Sequence, residues 1–185
     1  DDFSSDPEGS IGVVALPSGK AAPAQSAVRI ADFHAYEAED ALDPDVRVFG
    51  PTPEADFPVS RNLEPEYITV VGGTAYATLQ EANAIAVVDL ASATVTDIHA
   101  LGFKDHGLAE NALDPSDRDD RVEFRTYEGL KGVYQPDAID SYTAGDTTYL
   151  VTANEGDARE WGDYAEAVRA KNLADDGYGA VCDDS

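Results

Sequence analysis

The chain has 185 residues, 37 acidic against 12 basic, a net charge of −25 and a pI near 4.1. A length in this range fits one domain, and 43% hydrophobic residues suffice for a packed core, which excludes disorder throughout. Such a field repels polyanions, so nucleic acid and anionic membrane surfaces are not expected partners, and no apolar run reaches the roughly 18 residues of a membrane-spanning helix.

The acid excess is mostly Asp, 24 against 13 Glu, with only four lysines. Short carboxylates of this density suit hard cations, and they stay soluble where salt screens their repulsion. Divalent cations, Ca²⁺ first, are therefore the expected partners, in saline or marine-like surroundings. The single cysteine, Cys182, cannot form an internal disulfide, so the chain is not a disulfide scaffold. With no Met and no leader pattern at Asp1-Asp2-Phe3, the sequence reads as a processed or partial product.

In chain order, Ile11-Gly12-Val13-Val14-Ala15-Leu16 comes first, an apolar run with an echo 74 residues later in Ile85–Leu90. A segment at 35–42 has helix-forming composition. Tyr67–Val71 is a β-branched strand leading to Gly72-Gly73, and Thr74–Leu79 alternates as its hairpin partner. Ala84–Leu90 is apolar on both faces and reads as a buried third strand, with 93–100 as an outer fourth. The same pattern returns downstream: Glu64-Pro65-Glu66 is echoed by Gln135-Pro136-Asp137, and Thr74–Asn83 by Thr148–Asp157. The last element, 163–173, is predicted as a short helix.

Four short antiparallel strands per repeat is the pattern of a β-propeller blade. The expected fold is therefore all-β, a partial propeller of about two to three four-stranded blades. Blade segments are placed at about 6–20, 62–100 and 133–161, with long inserts at about 21–61 and 102–132. Remaining blades are expected from the same, longer polypeptide.

Two constellations could carry chemistry. The loop from Gly102 to Asp120 crowds Asp114, Asp117, Asp119 and Asp120 near Asp105; such carboxylates repel unless a cation or arginine intervenes. Ca²⁺ accepts about six to eight oxygens in flexible geometry, although the spacing is not that of an EF-hand. Arg118, Arg121 and Arg125 could neutralise the loop instead. The second constellation is the repeated strand end, Gln80-Glu81-Ala82-Asn83 and Asn154-Glu155-Gly156-Asp157. Glu81, Asp137, Glu155 and Asp157 add to the candidate metal ligands, because the start of one strand and the end of the next share an edge of a hairpin. Such groups also cap turns and tie neighbouring units. If phosphate binds, Lys104, Arg159 and His106 are the candidate contacts. No zinc pair, P-loop, G-x-S-x-G, H-E-x-x-H or G-x-G-x-x-G pattern is present.

Taken together, LEPEYITV, LQEANAIAVVDL, LGFKDH, LDPSDRDD, YQPDAIDSYT and TYLVTANEGDARE resemble the choice-of-anchor I β-propeller family, over about Asp6 to Leu173. That family includes secreted bacterial proteins, some described as alkaline phosphatases, and animal mesenchyme-specific cell-surface glycoproteins. The resemblance implies an extracellular or surface-anchored propeller of about seven blades. It carries no catalytic set onto this chain. Where the family loop is richer in glycine after its aspartates, Arg118-Asp119-Asp120-Arg121 stands here. The expected function is an extracellular, Ca²⁺-binding scaffold or adhesion module at a matrix, mineral or protein surface. The alternative is a metal-dependent phosphoesterase of alkaline phosphatase or phytase type.

Overall fold

The computed structural model describes residues 5–51 and 56–174. The order is β1 (Ser10–Val14), β2 (Val28–Asp32), α1 (Pro58–Arg61), β3 (Pro65–Val71), β4 (Thr74–Leu79), β5 (Ala84–Asp89) and β6 (Thr94–Ala100). There follow β7 (Lys104–Asp105), β8 (Lys131–Gly132), β9 (Pro136–Ala144), β10 (Thr147–Asn154), β11 (Glu160–Trp161) and β12 (Tyr164–Ala165). The fold is all-β and built of antiparallel sheets, and among the described residues no sheet closes on itself.

The centre is the meander β3-β4-β5-β6. Its turns follow from local chemistry: Gly72 takes a positive φ between β3 and β4, and Asn83 and Ala93 take φ of 53° and 54° at the next two turns. Asp89 caps the β5–β6 turn by accepting from the Ser92 N–H at 2.7 Å and the Ser92 hydroxyl at 2.6 Å. In register, Ala77 lies opposite Ala86, and Ala86 opposite Ile98; Ala75 and Val88 are likewise paired. These small side chains make a flat face onto which Ile11, Ala31, Phe33, Val46 and Leu63 pack. Phe33 and Leu63 are fully buried, and burying such a side chain contributes about 1.5–3 kcal/mol.

Around this sheet stand the hairpins β1–β2, β9–β10 and β11–β12. β1–β2 packs toward β6, and β9 lies against β3 and β4. The strand β2 falls within 21–61, so that segment is not all insert: it supplies the partner of the first apolar run. The insert at 102–132 is closed at its base by β7–β8 and by a bridge between Leu113 and Arg125.

Both predicted helices are corrected. Segment 35–42 holds only a 3₁₀ turn, His34–Tyr36, followed by turns, because Glu37 is drawn off to accept from the Val59 and Ser60 N–H groups. Segment 163–173 holds the second strand of β11–β12 and a 3₁₀ turn, Ala170–Asn172. Gly162 supplies φ 60° for the hairpin, and Glu166 accepts from the Arg159 N–H at 3.3 Å and pairs with Arg47, which holds the segment extended. Cys182 lies outside the described residues.

Candidate functional site

Asn83 closes the β4–β5 turn, immediately before β5, in left-handed backbone geometry and is fully buried. Its side-chain carbonyl accepts from the Tyr134 and Gln135 N–H groups at 3.0 and 3.1 Å, and its amide donates to the Gly102 carbonyl at 2.8 Å. Gln80 reaches across to Glu155 at 3.3 Å, and the Glu155 N–H donates to the Gln135 carbonyl at 3.2 Å. The amides of the first tetrad are thus fasteners between the central sheet and the β9–β10 segment, whereas Asn154 of the second accepts from Thr152 in its own strand.

The carboxylates of the same face gather around those fasteners. Glu66 near the start of β3 feels Glu81, Asp137, Glu64 and Glu155. Partial loss of water comes first and these like charges second, and together they hold its carboxyl above the usual range. Glu81 is raised for the same reasons: burial foremost, then Glu64 and Asp157, against its own backbone hydrogen bond and the opposing charge of Arg159. Of the predicted ligands, then, Glu81, Asp137, Glu155 and Asp157 come into one electrostatic neighbourhood, together with Glu64 and Glu66, which the sequence sets at the strand start on the same edge.

Arg159 closes one side of that neighbourhood. It is 2% exposed, donates to Glu64 at 2.6 Å and lies 3.5 Å from Asp6, which is equally buried. Gly50, at φ 109°, leaves it room: a Cβ there would stand 2.6 Å from the Arg159 Nε. Only Nη1 of the guanidinium is hydrogen-bonded, to Glu64; the buried Nε and Nη2 make no hydrogen bond, Nη2 lying beside Asp6. Asp6 and Arg61 also belong to this buried network, Arg61 donating to the Asp6 carbonyl. Separations of 55 and 95 residues between partners leave no local pattern that could have announced it.

The acidic loop is arranged differently. Asp105 accepts from Lys131 at 2.6 Å and from the Gly107 N–H at 2.9 Å; the lysine hydrogen bond foremost holds its carboxyl below the usual range. Asp114 caps the turn by accepting from the Ser116 and Glu123 N–H groups. Asp117 receives both Arg169 nitrogens at 3.0 Å and is lowered by that pairing, and Asp119 lies 3.2 Å from Arg121. Asp120 is exposed, at φ 56°. The arginines therefore neutralise much of this loop internally. His106 faces the Asn111 carbonyl at 2.6 Å, fastening its own loop, and Lys104 is exposed on β7. Among the described residues, no group of three or more His, Cys, Asp or Glu side chains is placed to hold a metal ion.

Comparison with known proteins decides the family. The choice-of-anchor I domain model matches residues 1–181, nearly the whole chain. The chain belongs to the choice-of-anchor I domain family. No curated protein and no solved structure matches it. The choice-of-anchor I assignment places the domain in general at the cell surface or outside the cell. Among the described residues, no helix is long and apolar enough to cross a membrane.

Proposed function

We propose that this choice-of-anchor I domain is part of a β-propeller that acts as an extracellular, acidic, cation-gathering scaffold or adhesion module at a matrix, mineral or protein surface. The propeller reading is supported by the packing of the separate hairpin β9–β10 against β3 and β4 of the central sheet. β9–β10 repeats β3–β4 in sequence at offsets of 71 and 74, and it lies beside it as a neighbouring blade does. β1 stands 74 residues before β5, as the third strand of a preceding unit.

The observation that carries the cation reading is the gathering of Glu64, Glu66, Glu81, Asp137 and Glu155 from both hairpins on one strand-end face, where burial foremost and the like charges after it raise Glu66 and Glu81. Charge of one sign massed at a surface concentrates counter-ions. Because no described trio closes on a single point, the ions, Ca²⁺ before others, are held loosely and exchangeably. Calorimetric titration of the full chain with Ca²⁺ tests this. Weak, salt-sensitive heat that falls in the double variant Glu66→Gln/Glu81→Gln is expected; no heat and no thermal shift in either protein would reject the reading.

A further inference from the structure

Segments remote in sequence meet around a cleft of about 370 Å³: residues 6–10 leading into β1, Glu64-Pro65 at the start of β3, and Trp161 on β11. Small-molecule sites occupy about 300–1,000 Å³. The walls are fixed. Gly9 lies so close to the next segment that a Cβ there would stand 1.7 Å from the Leu63 carbonyl oxygen, and its N–H donates to the Ser60 carbonyl at 2.8 Å. Trp161, the chain's one tryptophan, is set opposite by the β11–β12 hairpin. In a chain of charge −25 this cleft is locally balanced. Glu64 meets Arg159 at 2.6 Å, Asp6 meets Arg159 at 3.5 Å, and Glu8 meets His34 at 2.5 Å and Arg61 at 3.8 Å. Even so, the Glu64 and Glu8 side chains stay 39% and 31% exposed, and the buried Arg159 has an Nη2 with no hydrogen bond.

We infer that this cleft binds one ring of a neutral saccharide, with the face of the pyranose on Trp161 and its hydroxyls on Glu8, Glu64 and Ser10. A pyranose carries C–H groups on its faces and hydroxyls around its rim. It therefore calls for a flat apolar ring beside fixed acceptors and a donor. Carboxylates accept from hydroxyls about twice as strongly as neutral groups do. Arg159 Nη2, beside Asp6, is the buried donor left for a hydroxyl oxygen. A small cation is the poorer occupant, because Arg159, His34 and Arg61 already answer the carboxylates. An acidic saccharide is poorer still, because the field of the whole chain repels it. The inference goes beyond the cation reading and does not depend on it: the cleft shares only Glu64 with that face.

The single tryptophan makes the cleft its own reporter. Its emission is followed in the full chain, in EGTA, during titration with methyl β-glucoside, methyl β-galactoside and methyl α-mannoside. Glucuronate and N-acetyl-lysine methylamide serve as the charged probes. A saturable change with at least one neutral glycoside is expected, at a Kd of about 1 mM, with glucuronate about tenfold weaker or more. By calorimetry, Glu64→Gln and, as a second variant on the rim, Glu8→Gln should each weaken binding about tenfold, and Trp161→Leu should remove it; each is read on protein whose melt stays cooperative. Silence with all the neutral glycosides overturns the assignment. A response to the lysine probe alone gives the cleft to an amine and overturns it also, as does binding indifferent to both Glu64→Gln and Trp161→Leu. Saccharide binding in a protein that gives no heat with Ca²⁺ removes the cation reading and keeps this one; Ca²⁺ heat without saccharide binding does the reverse.

Discussion

Asn83 shows how much a single amide can organise. It holds a positive φ that few residues other than glycine tolerate, and it answers two N–H groups from a segment about fifty residues on and the carbonyl of Gly102 just beyond β6. Leaving buried backbone groups unpaired costs about 1–3 kcal/mol each. Asn83→Ala should therefore lower stability by about 2–4 kcal/mol, read as a reduced urea midpoint, with exchange quickening first at Tyr134 and Gln135. Asn83→Asp should be no better at neutral pH, because it buries a carboxylate and sets an oxygen against the Gly102 carbonyl where the amide donates. His34 is a smaller case with a pH signature. Its ring stacks on Phe57 at 4.0 Å and meets Glu8 at 2.5 Å, with Asp32 and Glu37 also near. The hydrogen bond to Glu8 foremost raises the imidazole above its ordinary 6.5. A raised base stabilises the fold while protonated. Its contribution is complete below 6.5 and disappears as pH rises through the raised value. Exchange at residues 8–10 should quicken over that interval in the wild type, and His34→Gln should abolish the step.

At the scale of elements, the strands of the meander were legible because each carries its own instructions. Gly72-Gly73 makes a hairpin turn, Thr74–Leu79 alternates, and Ala84–Asp89 is apolar on both faces because both are covered. The hairpin β11–β12 was not legible. Tyr164, Val168 and the helix-forming residues between them fit a 3.6-residue period, and only the remote demands of Arg47 and of the Arg159 backbone on Glu166 override it. β2 was missed because Val28–Asp32 is short and lies well beyond the Pro17-Ser18-Gly19 turn, across a long loop from its partner β1. The core offers a direct check on this architecture. Phe33 follows β2 and is wholly buried against the alanine face of the meander, so Phe33→Ala should cost about 3–5 kcal/mol. Circular dichroism melts would show it, and β1–β2 should lose exchange protection before β4 and β5.

Over the whole molecule, charge governs how the parts tolerate one another. The carboxylates at the strand-end face were individually visible, and their common edge follows from hairpin geometry; the buried Asp6–Arg159–Glu64 lock was invisible, because ion pairs distant in sequence leave no periodicity. Glu66 and Glu81 are raised, so the folded state binds protons there more readily than the unfolded chain does. Stability from this face consequently rises as pH falls through the raised values and is weakest at neutral pH. Asp105 and Asp117 act in the opposite sense: being lowered, they stabilise above the ordinary carboxylate range and lose that effect in acid. At pH 7 and low salt, Glu66→Gln/Glu81→Gln should raise the melting temperature by about 2 °C or more, and the gain should vanish near pH 4 or in molar salt. An unchanged melting temperature under all these conditions would mean that the face carries no net repulsion.

The insert at 102–132 is pinched at its root by β7–β8 and by the Leu113–Arg125 bridge, and its exposed crest is clamped from outside by Arg169. A backbone cut at that crest, after Arg118 or Arg121, would therefore sever the polypeptide without parting it. Trypsin-nicked material should travel through a sizing column as one particle and separate into two bands only under denaturing electrophoresis.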